Sequence, residues 1–119
     1  MILGIGLDVV EIERIAKIIE RTNKFSMRIL SERERIKYES LLAEKRVEYL
    51  AGRFAAKEAY SKAVGTGIGA GCEFHQIEIL NDEKGKPVLY FDEQLVAGFV
   101  SITHTKTVAA AQVILVAQS

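Results

Sequence analysis

The sequence predicts an α+β fold in which one long helix and shorter helices pack on a mainly antiparallel sheet. In the first half of the chain, apolar residues recur at helical spacing, and the alanine-rich segment 44–64 contains no proline. After residue 74, apolar and polar residues alternate, as they do in strands that bury one face. The helices are consecutive and the later strands are grouped, an order that favours α+β over a parallel α/β fold. A chain of 119 residues with 49% hydrophobic residues is expected to form one domain, residues 1–119.

The chain begins with a predicted strand at residues 2–7, and a helix is expected to follow it. Three apolar side chains share one face of this strand: Leu3, Ile5 and Leu7. We expect Asp8 to open the helix, because Asp8 and Glu11 have the spacing of a capping box. Apolar residues then recur at helical spacing as far as Arg21, and Thr22 with the asparagine after it interrupts the pattern.

Two further helices are predicted before the glycine-rich part of the chain. Ser31 and Glu34 form a capping box, so the second helix is expected over residues 32–42. The third and longest helix is expected over residues 44–64, and Gly65 suits its C-terminal cap. The segment that follows is a loop with four glycines, Gly65-Thr-Gly-Ile-Gly-Ala-Gly.

The last third of the chain predicts strands joined by turns. Their expected ranges are 74–80, 88–91, 100–104 and 108–116. Residues 81–87 have the composition of a turn, and residues 93–98 are interpreted as a short helix.

Composition argues against several classes of function. The 16 basic and 16 acidic residues give no net charge, which argues against a protein whose main partner is nucleic acid. The only cysteine, Cys72, excludes an intrachain disulfide and suits a reducing compartment. The apolar N-terminus lacks the basic leader of a signal peptide, and no run approaches the ~18 apolar residues of a membrane span. We therefore expect a cytoplasmic protein that does not bind a membrane.

Two acidic residues are candidates for chemistry. Continuing the apolar stripe of the long helix at 100° per residue places Glu58 on that stripe, with Lys62 one turn later. A buried carboxylate is costly unless it is paired, so a Glu58–Lys62 ion pair, a metal or a position near solvent would each explain it. Asp8 is either the N-cap of the first helix or a ligand of Mg²⁺, which prefers carboxylate and phosphate oxygens.

Other features have both a structural and a functional interpretation. The glycine loop is either a helix cap with a flexible connection or a place where a ligand approaches the backbone. His104 is either a strand-end surface residue or a contact to phosphate or base. Five basic residues share the predicted face of the first helix: Arg14, Lys17, Arg21, Lys24 and Arg28. This stripe is either a solvated face or, in a chain without net charge, a surface for an acidic protein.

Taken together, these motifs resemble the small bacterial holo-acyl-carrier-protein synthases, which are 4′-phosphopantetheinyl transferases. The most specific stretch is Arg-Phe-Ala-Ala-Lys-Glu-Ala-Tyr-Ser-Lys-Ala at residues 53–63, which leads into Gly-Thr-Gly-Ile at 65–68. Gly-Ile-Gly-Leu-Asp at residues 4–8, with Arg14 after it, precedes this stretch, and Ser-Ile-Thr-His-Thr at 101–105 follows it. Order and spacing fit the family over nearly the whole chain.

The resemblance implies the family's fold and the roles of particular residues. Asp8 and Glu58 would hold Mg²⁺ against the pyrophosphate of coenzyme A, and Lys62 would contact its phosphates. These three would be the catalytic residues. The other residues implied to bind coenzyme A are Gly65, Thr66, His104 and Thr105, with Lys45, Arg46 and Arg53 as looser matches.

The resemblance also implies partners. Members of the family form homotrimers with active sites at subunit interfaces, and His104 and Thr105 would reach the nucleotide of a neighbouring subunit. The first helix would dock acyl carrier protein through Arg14 and Arg21. The implied reaction is transfer of 4′-phosphopantetheine to a serine of the carrier, which supports fatty acid biosynthesis. A binding module without catalysis and an adaptor for acidic helices are the alternative functions.

Overall fold

The apolar segments at the two ends of the chain pair in one sheet, and the helices between them pack against it. The computed structural model describes residues 1–118. Its strands are β1 (Ile2–Glu11), β2 (Ile77–Asn81), β3 (Pro87–Phe91), β4 (Gln94–Leu95), β5 (Gly98–His104) and β6 (Val108–Val116). Its helices are α1 (Ile12–Arg21), α2 (Lys24–Ile29), α3 (Glu32–Ser40) and α4 (Ala43–Val64), and Phe74–Gln76 forms a 3₁₀ turn.

Both sheets are antiparallel, which confirms the predicted fold class. One has the order β1-β6-β5, and the other has the order β2-β3-β4. Helix α4 is the long helix predicted from the sequence, and it packs on β1 and β6. Its core-facing side chains are mostly small, including Ala51, Ala55, Ala56, Ala59 and Ala63, all of them buried. Small side chains allow a helix and a sheet to approach closely.

Helix ends follow the sequence signals where those signals are local. Ser31 caps α3, since its side chain accepts a hydrogen bond from the Glu34 amide while its own amide donates to the Glu34 carboxylate. Gly65 ends α4 with φ of 99°, a left-handed conformation that costs glycine little. The predicted interruption at Thr22 is present and separates α1 from α2.

The start of the first helix was predicted wrongly. Asp8 does not cap a helix, because β1 continues through Glu11 and α1 begins at Ile12. The strand is extended by pairing with β6, where Val9 lies opposite Ala110 and Glu11 opposite Val108. This long-range pairing outweighs the local capping pattern, so Asp8 lies inside a strand.

Two further assignments differ in the C-terminal third. Residues 74–76 form a 3₁₀ turn, so β2 begins only at Ile77. The short helix expected at residues 93–98 is absent, and Gln94–Leu95 instead pairs with β3 as strand β4. A tight turn with left-handed backbone at Asp92 and Glu93 makes this reversal.

Strand β1 lies almost directly on the backbone of α4. A Cβ atom added at Gly6 would stand 1.8 Å from the Ala59 carbonyl oxygen, and one at Gly4 would stand 2.1 Å from that of Ala63. No side chain fits in that space, so these two glycines set the separation of strand and helix. Asp8 is the next residue on the same face of β1, and it is thereby brought against α4.

The opposite face of the large sheet is exposed, and along β1 it is apolar. The exposed fractions on β1 are 65% for Leu3, 56% for Ile5, 57% for Leu7 and 59% for Val9, and on β5 Phe99 is 59% exposed. Within residues 1–118, every helix is too short or too polar to cross a lipid bilayer.

Candidate active site

Asp8 and Lys62 meet where β1 lies along the C-terminal half of α4. The Lys62 ammonium nitrogen is 3.0 Å from Asp8 Oδ1, and it also donates to the Leu7 carbonyl oxygen at 3.1 Å. The side chain of Asp8 is 16% exposed, whereas that of Lys62 is 52% exposed. The fold therefore brings together two of the predicted site residues and leaves the cation open to solvent.

Glu58 precedes Lys62 by one turn of α4 and joins the same group. Burial raises the pKa of the Glu58 carboxyl above its usual range, the nearby Asp8 carboxylate raises it further, and Lys62 partly opposes both. A higher pKa makes the Glu58 carboxylate a better proton acceptor.

Glu58 is partly buried, whereas the sequence pattern placed it near the middle of the buried stripe. In the second half of α4, Phe54 and Glu58 are partly buried and Lys62 is exposed, and the residues between Phe54 and Glu58 and between Glu58 and Lys62 are buried. Lys62 pairs with Asp8, whereas the sequence alone suggested Glu58 as its structural partner.

The donor set fits a hard divalent cation. Asp8 and Glu58 supply carboxylate oxygens, which Mg²⁺ prefers over nitrogen or sulfur ligands. Among residues 1–118, no group of three or more histidine, cysteine, aspartate or glutamate side chains is placed to hold a metal. An ion at these two carboxylates would therefore take its remaining ligands from water or from a substrate.

The glycine loop begins at the end of α4, beside the part of the helix that carries Glu58 and Lys62. The Ser61 carbonyl oxygen accepts hydrogen bonds from the amides of Gly65 and Gly67, at 2.9 and 3.2 Å. Added Cβ atoms at Gly65, Gly67, Gly69 and Gly71 would meet no atom within 4 Å, so the loop is open on its outer side. Thr66 is exposed on the same loop. The backbone here is accessible to a ligand, as one of the two interpretations of the loop requires.

A second basic group lies toward the other end of α4. Lys45 is 3.4 Å from Glu48, and His104 Nδ1 is 4.0 Å from the other oxygen of Glu48. Thr105 follows His104 in the β5–β6 turn, where its hydroxyl accepts from the Val108 amide. Because an α-helix rises about 1.5 Å per residue, Glu48 and Glu58 lie about 15 Å apart along the axis. Within one chain, His104 and Thr105 are thus distant from the Asp8 group.

The two predicted arginines already have partners inside the chain. Arg46 donates to the carbonyl oxygens of Tyr38, Glu39 and Leu41, so it caps the end of α3. Arg53 is buried and donates to the Ile79 carbonyl and to Asn81. Both guanidinium groups therefore have fewer donors left for a ligand than an exposed lysine such as Lys45.

The basic stripe of the first helix is exposed but divided. Arg14 and Arg21 lie on α1, and Lys24 and Arg28 lie on α2 beyond the break. Arg28 lies over the Phe74 ring, with its guanidinium carbon 5.7 Å from the ring centre. The stripe is therefore presented to solvent on two short helices that meet at residues 22–23.

One functional candidate was missed by the sequence argument. Lys57, next to Glu58, is fully buried and forms an ion pair with the fully buried Glu34. A signal was available, because Lys57 follows Phe54 by three residues and Leu50 by seven, which is core spacing on a helix. The sequence pattern predicted the buried charge at Glu58 instead of Lys57, because the exact phase of the apolar stripe on the long helix depends on tertiary contacts.

Comparisons with known proteins identify the family to which the chain belongs. The family model of the 4′-phosphopantetheinyl transferase superfamily matches residues 4–115. The holo-[acyl-carrier-protein] synthase of Bacillus cytotoxicus is 53% identical over 115 residues, which are 97% of this chain and 96% of that protein. The corresponding protein of Anoxybacillus flavithermus is 50% identical over 115 residues, with the same coverage of 97% and 96%.

A solved structure shows the same fold. The holo-(acyl-carrier-protein) synthase of Bacillus anthracis, crystallised in complex with CoA (3′,5′-ADP), superposes with a TM-score of 0.86 at 50% sequence identity. The alignment covers 97% of this chain and 96% of that one. On sequence and fold, the chain belongs to the 4′-phosphopantetheinyl transferase superfamily and, within it, to the holo-[acyl-carrier-protein] synthases.

Proposed function

We propose that this chain transfers the 4′-phosphopantetheine group of coenzyme A to a serine of apo acyl carrier protein. The observation that carries the proposal is the Asp8–Lys62 pair, with Glu58 one turn before Lys62 on α4, beside an open glycine loop. Two carboxylates and a cation at one opening suit a pyrophosphate accompanied by a divalent ion. Relatives at 50% identity are named for this reaction.

The reaction breaks one phosphorus–oxygen bond and forms another. The serine oxygen attacks the phosphorus that carries pantetheine, and adenosine 3′,5′-bisphosphate leaves with the electrons of the broken bond. We assign Lys62 to the phosphate oxygens, where its charge offsets the charge that develops on the leaving group. Its exposed ammonium is free to exchange Asp8 for phosphate. Glu58 is assigned as the acceptor of the serine proton, because its carboxylate is only partly buried and lies one turn from Lys62.

We further propose that Asp8 and Glu58 hold Mg²⁺. A bound Mg²⁺ would neutralise charge on the two phosphates and orient them. Without an ion, Asp8 is neutralised by Lys62, and Glu58 is left beside a second carboxylate with a raised pKa. Burial and, to a lesser extent, the Asp8 carboxylate disfavour the charge on Glu58, and a divalent cation would offset both.

The remaining contacts to coenzyme A are assigned to residues of the loop and of the second basic group. Gly65 and Thr66 would line the coenzyme at the end of α4. Lys45, His104 and Thr105 would contact its nucleotide end, with Arg46 and Arg53 in weaker roles because their donors already have partners. Arg14 and Arg21 would bind the acidic carrier, since both are exposed on α1.

A homotrimer with shared active sites would resolve two features of the single chain. The uncovered apolar face of β1 and β5 is large for a protein that works as a monomer. The second basic group is also about 15 Å from Glu58 along α4. Packing that face against other copies would bury it and would let His104 and Thr105 of one subunit approach the Asp8 group of another.

We also propose that residues 1–119 form a single domain. The proposed role is in fatty acid biosynthesis, and the proposed location is the cytoplasm.

The proposed transfer is tested by mixing the protein with apo acyl carrier protein, coenzyme A and Mg²⁺ and weighing the carrier. We expect the carrier mass to rise by one phosphopantetheine group, at its serine. A carrier in which that serine is replaced by alanine is the control and should gain nothing. Tight binding of coenzyme A with an unchanged carrier mass would favour the alternative of a binding module.

A further inference from the structure

Lys57 is the largest fully buried side chain among residues 1–118, and the proposed reaction does not use it. Its ammonium donates to Glu34 Oε1 at 2.6 Å, to the Ile29 carbonyl oxygen at 2.6 Å and to the Phe74 carbonyl oxygen at 3.0 Å. A lysine ammonium has three donors, so its capacity is filled. A buried cation with three fixed acceptors defines the positions of the segments that supply them.

Its partner Glu34 extends the same network. Glu34 accepts hydrogen bonds from the Ser31 amide at 2.9 Å and from the Ile79 amide at 2.8 Å, in addition to the bond from Lys57. Ile79 lies in β2, and Ser31 caps α3. The ion pair therefore joins α4 to α2, α3, β2 and the 3₁₀ turn at one point.

Helix α4 anchors both ends of the glycine loop. At the start of the loop, the Ser61 carbonyl accepts from the amides of Gly65 and Gly67. At its far end, Lys57 holds the Phe74 carbonyl. Lys57 and Ser61 are one turn apart on α4, and the residues that follow each of them are Glu58 and Lys62. The loop anchors and the charged groups are thus fixed to the same turns of one helix.

The same ammonium fastens α2, which carries part of the basic stripe. The Lys57 ammonium binds the carbonyl oxygen of Ile29, which is the last residue of α2. The neighbouring Arg28 lies over the ring of Phe74. The Phe74 ring also stacks on the ring of Phe54 in α4, and the two ring centres are 5.6 Å apart. Loop end and helix α2 are held at one place on α4.

We propose that Lys57, paired with Glu34, is a positioning residue for the transfer reaction. It holds the return of the glycine loop and the end of α2 in a fixed relation to Glu58 and Lys62, without touching substrate itself. This inference rests on the proposed function. It assigns the pair to geometry, since a pair of this kind adds little stability over an apolar replacement.

The test replaces both charges with neutral side chains of similar size, Lys57→Met together with Glu34→Gln. We expect the folded double variant to bind coenzyme A in the presence of Mg²⁺ at least about tenfold more weakly by calorimetry, with kcat also reduced, because the loop is no longer fixed. Leu89→Ala is the matched control, since it destabilises the core at a buried β3 position that makes no polar contact with the pair. Its affinity for coenzyme A should stay within about twofold of the parent. Equal affinities and equal kcat in the double variant and the control would overturn the proposal.

Hydrogen exchange on the unmodified protein tests the same claim if the double variant fails to fold. The amides of Gly67, Gly69 and Cys72 are hydrogen-bonded, and a clamped loop should exchange them as slowly as α4 exchanges its own. If these loop amides exchange more than about a hundredfold faster than the amides of α4, the loop is not clamped and the proposal is overturned. Neither calorimetry nor exchange needs turnover, so failure of the transfer assay would be seen separately.

Discussion

At the scale of single residues, the charged side chains differ in whether the chain already neutralises them. Lys57 has all three of its donors occupied, and Arg46 binds three carbonyl oxygens. Lys62 is different, because its half-exposed ammonium pairs only with Asp8, and Glu58 one turn earlier has no ion-pair partner among residues 1–118. A divalent cation and a phosphate group would therefore bind most favourably at Asp8, Glu58 and Lys62.

Neutralising either carboxylate is therefore expected to stop the reaction without unfolding the protein. Asp8→Asn and Glu58→Gln should each lower the rate of carrier modification at least about a hundredfold, because charge neutralisation at the pyrophosphate is lost. The unfolding free energy should change by less than about 1 kcal/mol, since the Asp8–Lys62 pair is partly exposed. Rates are read from carrier mass, with Glu44→Gln on the exposed start of α4 as the control. Near-normal rates in both variants would remove these residues from the mechanism.

Glu78 is expected to make stability depend on pH. Hydrogen bonds from Arg33, and less so from Ser31, hold the pKa of the Glu78 carboxyl below its usual range, although burial opposes them. A lowered folded-state pKa gives stability that is present above the unfolded-state pKa and is lost as the pH falls through the folded-state pKa. Urea unfolding at several pH values should show that Glu78→Gln is less stable near neutrality and loses less on acidification. Parallel pH curves for parent and variant would contradict this assignment.

At the scale of elements, the close contact of β1 with α4 carries the site. Asp8 reaches Lys62 only because Gly4 and Gly6 let the strand lie on the helix backbone. The site is therefore as sensitive to these glycines as to the acidic residues.

Gly6→Ala tests that dependence. The added Cβ would stand 1.8 Å from the Ala59 carbonyl oxygen, so strand and helix must separate. We expect a loss of about 1–3 kcal/mol in unfolding free energy, as for other overpacked sites, together with a strong loss of transfer. Gly69→Ala is the control for stability, because its Cβ would meet no atom within 4 Å. Equal thermal stability of the two variants would show that the contact is looser than described.

The elements that the sequence predicted best are those with local signals. The Ser31 capping box, the Gly65 cap and strand β6 follow from residues near one another in the chain. The wrong start of α1 and the absent helix after β3 both arise where pairing with a distant strand outweighs local pattern. The sequence pattern left Asp8 as either an N-cap or a metal ligand, and only the resemblance favoured the ligand, because nothing local shows that Asp8 meets α4.

At the scale of the whole molecule, the large sheet has one face on α4 and one face uncovered. Rows of side chains cross that outer face, such as Ile5, Ile114 and Phe99, which are neighbours on β1, β6 and β5. Exposed apolar side chains grouped on one sheet face are typical of subunit interfaces. The proposed active site would therefore be complete only in the proposed trimer.

Ile5→Glu is expected to disperse the assembly. A charge on the outer sheet face would have to be buried without a partner, so sedimentation should show monomer where the parent is trimeric. Transfer should fall with it, because His104 and Thr105 would no longer reach a neighbouring site. Ile36→Glu is the control, since Ile36 is 69% exposed on α3, away from this face. A trimeric Ile5→Glu variant, or a fully active monomer, would contradict the shared site.

The account depends most on Asp8 and Glu58 acting together on one cation beside the pyrophosphate. The most direct measurement is calorimetric affinity for coenzyme A, with and without Mg²⁺, in the parent, Asp8→Asn and Glu58→Gln. We predict that Mg²⁺ tightens binding at least about tenfold in the parent and that either substitution abolishes this gain. An unchanged gain from Mg²⁺ in both variants would contradict the central claim.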